Sequence, residues 1–272
     1  MSKELEYLVQ LESLGVGAWW LQIGNKLKPD GEKHYWNLMR IIATGQETSL
    51  SEHIRILDGY DYRSNIKGLE HLQRLNGRNT LVLGNHSHLG PLEGYGEMLL
   101  TSYCVKKATG KEIKWVRGRG KSLKENARQL VDRSLGTIPV YDDSIRGPIL
   151  IFKAFDANES VGLYPEGDNS IVLRQAKLTA GNLVLKTLGK NIPVFCASTW
   201  FENNTFFATF APLLDEKKYK EIQNTKLRKE EKDIIKEKII NYAMARIAQN
   251  LPEEKRGYYR DFQKFIDAFE AI

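Results

Sequence analysis

Histidine stops at position 88. The 272-residue chain holds five, His34, His53, His71, His86 and His88. A serine hydrolase with the α/β chain order needs its histidine after the nucleophile, so that mechanism is excluded. The His86-Ser87-His88 pair hints at zinc, but such a site normally recruits more ligands from downstream loops. Gly90 and Pro91 stand where a nearby acid is expected, and no later histidine exists, which argues against a metal. Cysteine is equally sparse. Cys104 and Cys196 lie in the apolar runs SYCV and IPVFCAS, where buried, reduced thiols are expected and a disulfide framework is not. No apolar run approaches the roughly 18–20 residues needed to span a bilayer. The longest, Leu14 to Ile23, is short and broken by Gly15 and Gly17. No signal peptide is visible in MSKELEYLVQLE, which patterns as a charged amphipathic helix. The expectation is a cytoplasmic chain, soluble or peripherally attached. Internal repeats and low-complexity linkers are also absent.

An apolar fraction of 42% supports a substantial core. The length predicts one large domain, or one with a small appendage. The net charge of +6 suits an anionic partner: nucleic acid, a phosphorylated substrate or an acidic membrane surface. A nucleic-acid module is disfavoured, because the positive charge is spread out and no binding motif is recognisable.

Residues 1 to about 60 read as helical. Leu5, Leu8, Leu11 and Leu14 share a helical spacing, as do Tyr35, Leu38, Met39 and Ile42. Between them, Trp19 and Trp20 can be core or an interfacial anchor. From about residue 65, short apolar runs alternate with helical stretches, the sign of an α/β domain. Strands are predicted at 80–84, 102–105, 112–116, 137–141, 160–164, 192–197 and 205–210. Helices are predicted near 67–75, 91–100, 121–134, 145–156, 177–189, 217–249 and 258–270. The expected fold is a central, mostly parallel or mixed sheet of about seven strands, flanked by helices. An N-terminal helical segment over 1–62 precedes the main domain over 63–272.

Four blocks carry chemistry. Leu81-Val82-Leu83 reads as a buried strand that runs into the polar loop Gly84-Asn85-His86-Ser87-His88. Pro91 then suits a helix start, and Glu93 falls in the first turn. A histidine above a strand with a carboxylate close by is one way to build a general base. The second block, Gly162-Leu163-Tyr164-Pro165-Glu166-Gly167-Asp168-Asn169-Ser170, follows the predicted strand 160–164 and displays Glu166 at the sheet edge where α/β proteins bind ligands. An ordinary turn has the same composition. The third is Leu135-Gly136-Thr137-Ile138-Pro139-Val140-Tyr141-Asp142-Asp143, with Arg146 just beyond. The fourth is basic, Lys114-Trp115-Val116-Arg117-Gly118-Arg119-Gly120-Lys121, and is either a phosphate cradle or a solvated loop.

Taken in order, GNHSHLGPLE, LGTIPVYDD, LYPEGDNS and KNIPVFCAST resemble the glycerolipid (lysophospholipid) acyltransferase superfamily. That family's pattern is Asn-His with an acid five residues on, then Gly-x-Ile-Pro-Val-x-Arg, Phe-Pro-Glu-Gly-Thr-Arg-Ser and a Pro-Val strand. The tail MARIAQNLPEEKRGYY from Met244 is similar to endings of bacterial members, and the resemblance covers roughly residues 65 to 260. Three departures stand out. Asn85-His86 matches Asn-His, yet Pro91 stands five residues later; His88 and Glu93 restore the spacing. His88-Leu-Gly-Pro-Leu-Glu93 also resembles the His-Phe-Gly-Asn-Trp-Glu block of the lipid A and mannoside acyltransferase branch. Second, Asp142 or Asp143 replaces the arginine that ends the Ile-Pro-Val block, and third, Asp168-Asn169 replaces Thr-Arg. The last two remove positive charge where the family holds phosphate, which favours a glycolipid or other hydroxylated lipid as acceptor.

The resemblance implies O-acyl transfer from acyl-CoA or acyl carrier protein to a hydroxyl of a lysophospholipid or glycolipid. His88 is the implied base with Glu93 as its acidic partner, and His86 is the alternative base. Glu166, Gly167 and Tyr164 are the implied acceptor-pocket residues, and Arg146, Arg117 and Arg119 the implied phosphate ligands. No metal or redox cofactor is implied, and no nucleic-acid partner. The implied location is peripheral, on the inner face of the cell membrane, with Trp19 and Trp20 docking there. A catalytically inactive lipid-binding relative is the alternative.

Overall fold

The computed structural model describes residues 27–60, 63–86, 95–118, 133–140, 146–167, 170–214, 218, 221 and 229–271. Seven strands form one sheet: β1 (Arg63–Lys67), β2 (Leu81–Gly84), β3 (Ile113–Gly118), β4 (Ile138–Val140), β5 (Ser160–Leu163), β6 (Val194–Glu202) and β7 (Thr205–Pro212). Their order is β1-β7-β6-β2-β5-β3-β4. Only the β6–β7 pair is antiparallel. The chain is therefore an α/β fold with a mixed, mostly parallel sheet.

β2 sits near the middle, and all four of its residues are buried. A parallel strand covered on both faces has no need to alternate, which is why Leu81-Val82-Leu83 is continuously apolar. Alternation still decides which core each side chain joins. Val82 packs in one core with Phe195 and Ala197, and Leu81 and Leu83 in the other with Val194 and Cys196. The first core is covered by α1 (Pro29–Ala43), a 3-10 segment (Leu50–Tyr60), α2 (Leu69–Gln73) and α3 (Tyr95–Thr109). The second is covered by α4 (Arg146–Asp156), α5 (Leu178–Gly189), α6 (Lys229–Gln249) and α7 (Phe262–Glu270). Among the described residues, no helix is long and apolar enough to cross a membrane.

The predicted strand at 102–105 is helix, the third and fourth turns of α3. Leu99, Leu100, Cys104 and Val105 are buried, and so are Thr101 and Ser102, because α3 is wedged between the sheet and the 3-10 segment. A helix buried on two sides loses its apolar stripe, and its short apolar run then reads as a strand. The missed strand is β1, where Ile66 is the one apolar residue in RSNIK. It is an edge strand paired to β7, and edges tolerate polar sequence. β6 also runs on to Glu202, turning into β7 through Asn203-Asn204. Both asparagines have positive φ, 48° and 55°, as a two-residue hairpin turn requires. Cys104 and Cys196 are buried free thiols in opposite cores, and burial pushes each up to about 12.

The predicted helix at 121–134 and the first part of that at 217–249 fall mostly outside the described residues, as do Trp19 and Trp20. The described part of the N-terminal segment is helical as expected. Tyr35, Leu38, Met39 and Ile42 line the buried face of α1.

Candidate functional site

β2 and β5 are adjacent and parallel, with Leu83 opposite Leu163. Their following loops therefore emerge side by side, on the edge where open α/β sheets bind ligands. The first loop begins with Asn85. Its side chain is buried and bonds both backbone groups of Thr199 in β6: Asn85 Nδ2–H donates to the Thr199 carbonyl (2.6 Å), and the Thr199 N–H donates to Asn85 Oδ1 (2.8 Å). The β2–β6 ladder is thus continued by a side chain. The His86 backbone then turns the other way, toward the second loop. The Ser170 N–H donates to the His86 carbonyl (3.0 Å), and the His86 N–H makes a long bond of 3.4 Å to Glu166 Oε1.

Glu166 is the pivot of the second loop. The Gly167 N–H bonds the Tyr164 carbonyl (3.0 Å) and closes a tight turn through Pro165 and Glu166. The carboxylate does not stand out into solvent; it turns inward and is 4% exposed. Its other oxygen, Oε2, accepts the Arg174 N–H at 2.6 Å. Burial pushes the Glu166 carboxyl up to about 7, against the opposing pull of the two backbone donors and the Arg174 guanidinium. Arg174 Nε–H also reaches Ser170 Oγ (3.2 Å).

An aromatic column stands beside this clamp. The His86 ring stacks on Tyr164 with centroids 4.1 Å apart and planes 2° from parallel. Tyr164 stacks on Trp115 at 4.7 Å, and the Trp115 indole N–H donates to Ser102 Oγ of α3 (2.9 Å). The Tyr164 hydroxyl is buried with no hydrogen-bond partner among the described residues. Burial first, and then the nearby Glu97 carboxylate, hold that phenol well above its usual range. Glu97, in the first turn of α3, is 1% exposed. A recess with room for about one water opens between Asn85, His86, Glu166 and Ser170 on its polar side and Ile171 and Leu251 on its apolar side.

The C-terminal tail braces the same loop. The Leu173 N–H donates to the Lys255 carbonyl (3.0 Å), and the Tyr258 N–H donates to the Leu173 carbonyl (2.9 Å). The buried Tyr259 hydroxyl accepts the Ala176 N–H (3.0 Å) and donates to Asn241 Oδ1 (2.8 Å). Gly257 has φ +47°, and any Cβ there would run into the Leu173 backbone, so only glycine fits.

Of the predicted site residues, His86, Tyr164, Glu166 and Gly167 are brought together. Arg117 lies on β3, two residues beyond Trp115, toward the same sheet edge. Arg146 begins α4, and its side chain lies outside the described set. His88, Glu93 and Arg119 also lie outside the described residues. The sequence reading quoted Ser170 and Thr199 within two motif blocks without giving them a role, and missed Arg174 and Glu97. Glu97 left one signal, a lone acid ahead of Met98-Leu99-Leu100. Arg174 left none, because it holds Glu166 through its backbone N–H. Among the described residues, no three His, Cys, Asp or Glu side chains converge as metal ligands do.

Compared with models of known protein families the chain matches none, and a search of curated proteins finds no significant match.

Proposed function

We propose that the protein is an O-acyltransferase that moves a fatty acyl group from a thioester to the hydroxyl of a lysophospholipid or glycolipid. One observation carries the reading. The Asn-His loop and the Tyr-Pro-Glu-Gly loop, 80 residues apart between His86 and Glu166, meet at the ends of adjacent parallel strands. Meeting there is what the motif resemblance demands of a working site, and nothing in the linear spacing requires it.

In this reading His88 takes the proton of the acceptor hydroxyl as its oxygen attacks the thioester carbonyl. Glu93 holds the other ring nitrogen and stabilises the imidazolium. The tetrahedral intermediate collapses, the C–S bond breaks, and the thiolate leaves with the proton from the histidine. Glu166, held inside by two N–H donors, fixes the loop of the base rather than meeting the acceptor. Arg117, Arg119 and Arg146 face phosphate on the donor or the acceptor. The protein works at the inner face of the cell membrane, attached peripherally.

The test is thiol release from a series of acyl-CoAs and from acyl carrier protein, with membrane lipid extract as acceptor. His88→Ala and Glu93→Ala are expected to lower the rate by about 10²–10⁴. His86→Ala, which removes one member of a stack, is expected to lower it less. Loss confined to His86→Ala would make His86 the base. Absence of release with either donor would leave a lipid-binding protein without chemistry and end the enzyme reading.

A further inference from the structure

The hold on the His86 backbone leaves the plane of its ring undetermined. Its N–H and carbonyl are tied to Glu166 and Ser170, but an imidazole has two torsions beyond Cα. The outer one has no sharp rotamer of its own, so what the ring lies against must set it. That is Tyr164, with centroids 4.1 Å apart and planes 2° from parallel. Tyr164 lies in turn on Trp115, at 4.7 Å and 22°. Trp115 is 2% exposed, and its indole N–H is fixed to Ser102 Oγ of α3 at 2.9 Å. The ring that meets the histidine is therefore itself held from the interior.

Two glycines make room for this column. A Cβ on Gly84, the last residue of β2, would stand 3.1 Å from Tyr164 Cε1. A Cβ on Gly162 of β5 would stand 2.6 Å from Trp115 Cε3, well inside contact distance. Each ring thus occupies the space beside a strand glycine, and the two strands are neighbours. A side chain at either position would push one ring of the column out of place.

We propose that Trp115 and Tyr164 are positioning residues: their column sets the plane of the His86 ring and, through it, the start of the loop that carries the base. Tyr164 then acts through His86 and does not itself meet the acceptor. This assignment rests on the acyltransferase reading for its kinetic consequence, while the stack is open to test without any chemistry. A misplacement of about 1 Å near reacting atoms costs up to roughly 10²-fold in rate, so the column matters even at one remove.

The experiment is a double-mutant cycle on thiol release by the full chain, with kcat and KM resolved. Tyr164→Leu is expected to lower kcat by roughly 10- to 100-fold, with KM within about twofold of wild type. Tyr164→Phe, which keeps the ring, should recover most of that loss. The hydroxyl it removes is buried with no hydrogen-bond partner among the described residues, so this variant should melt no lower than wild type. Adding Tyr164→Leu to His86→Ala should cost little more than His86→Ala alone, because each change removes the same stack. Effects that simply add would reduce the column to ordinary packing and overturn the assignment. A raised KM at unchanged kcat would place Tyr164 against the acceptor and overturn it too. A second measurement uses the wild-type chain, whether or not Tyr164→Leu folds. The His86 ring protons, identified as the signals missing in His86→Ala, should lie upfield under the ring current of Tyr164. Ring shifts equal to those of the urea-unfolded chain would overturn the assignment. A wild type that releases no thiol from either donor removes the acyltransferase reading alone, and the ring shifts then decide whether the column holds His86.

Discussion

Glu166 is a carboxylate whose environment works against its charge. Its proton is held more tightly in the folded chain than in the unfolded one, since burial lifts it from 4.5 to about 7. Such a group contributes stability fully below about pH 4.5 and loses that contribution as pH climbs through 7. Glu166→Gln removes this titration. The variant's stability, measured by urea unfolding, should fall less than wild type's between about pH 5 and pH 8, by roughly 2–3 kcal/mol. Equal slopes in the two proteins would show that the group is not held as described. The residue was legible in the sequence as a polar turn beyond a strand. Its inward orientation was not, because the donors that draw it in are the backbone of Arg174 and the backbone of His86. Every residue type but proline supplies a backbone N–H, so sequence leaves almost no mark of it.

Among the elements, α5 and α6 approach each other closely in the second core. Gly181 is buried on α5, and a Cβ there would run into the carbonyl of Lys236. Alanine is the better helix former by about 1 kcal/mol. Forcing the two helices apart costs about 1–3 kcal/mol, so the clash wins. Gly181→Ala should therefore lower the melting temperature; a variant more stable than wild type would show that the helices yield easily. Both helices were legible from their periodicity, while α3 and β1 were not. α3 is apolar and polar on several sides at once because it is buried on two of them. β1 is polar because it has a neighbour on one side only. Each departure comes from what covers the element, which local pattern does not encode.

For the molecule as a whole, the segment before the sheet is part of the core. Tyr35, Leu38, Met39, Ile42, Leu50, Ile56 and Leu57 share one cluster with Leu72, Leu100, Val105, Phe206 and Phe210. Burying seven such side chains is worth upwards of roughly 10 kcal/mol. That is comparable with the whole stability of a typical domain, about 5–15 kcal/mol. A chain lacking residues 1–60 should lose the near-ultraviolet circular dichroism and dispersed amide spectrum of a packed core. A truncated chain that unfolds in one sharp transition would show that the sheet stands without this cover.

The sequence alone was enough for the α/β class, the central apolar strands and the two polar loops at their ends. These are local patterns: a strand buried on both faces must be apolar, and a turn must be polar and glycine-bearing. The tertiary structure alone decided that Asn85 holds Thr199, that His86 lies flat on Tyr164, and that Glu166 closes inward on the loop of His86. These pairs are separated by 114, 78 and 80 residues. They meet because β2 lies between β6 and β5. Strand order is set by the packing of both cores together, and no single stretch of the chain records it.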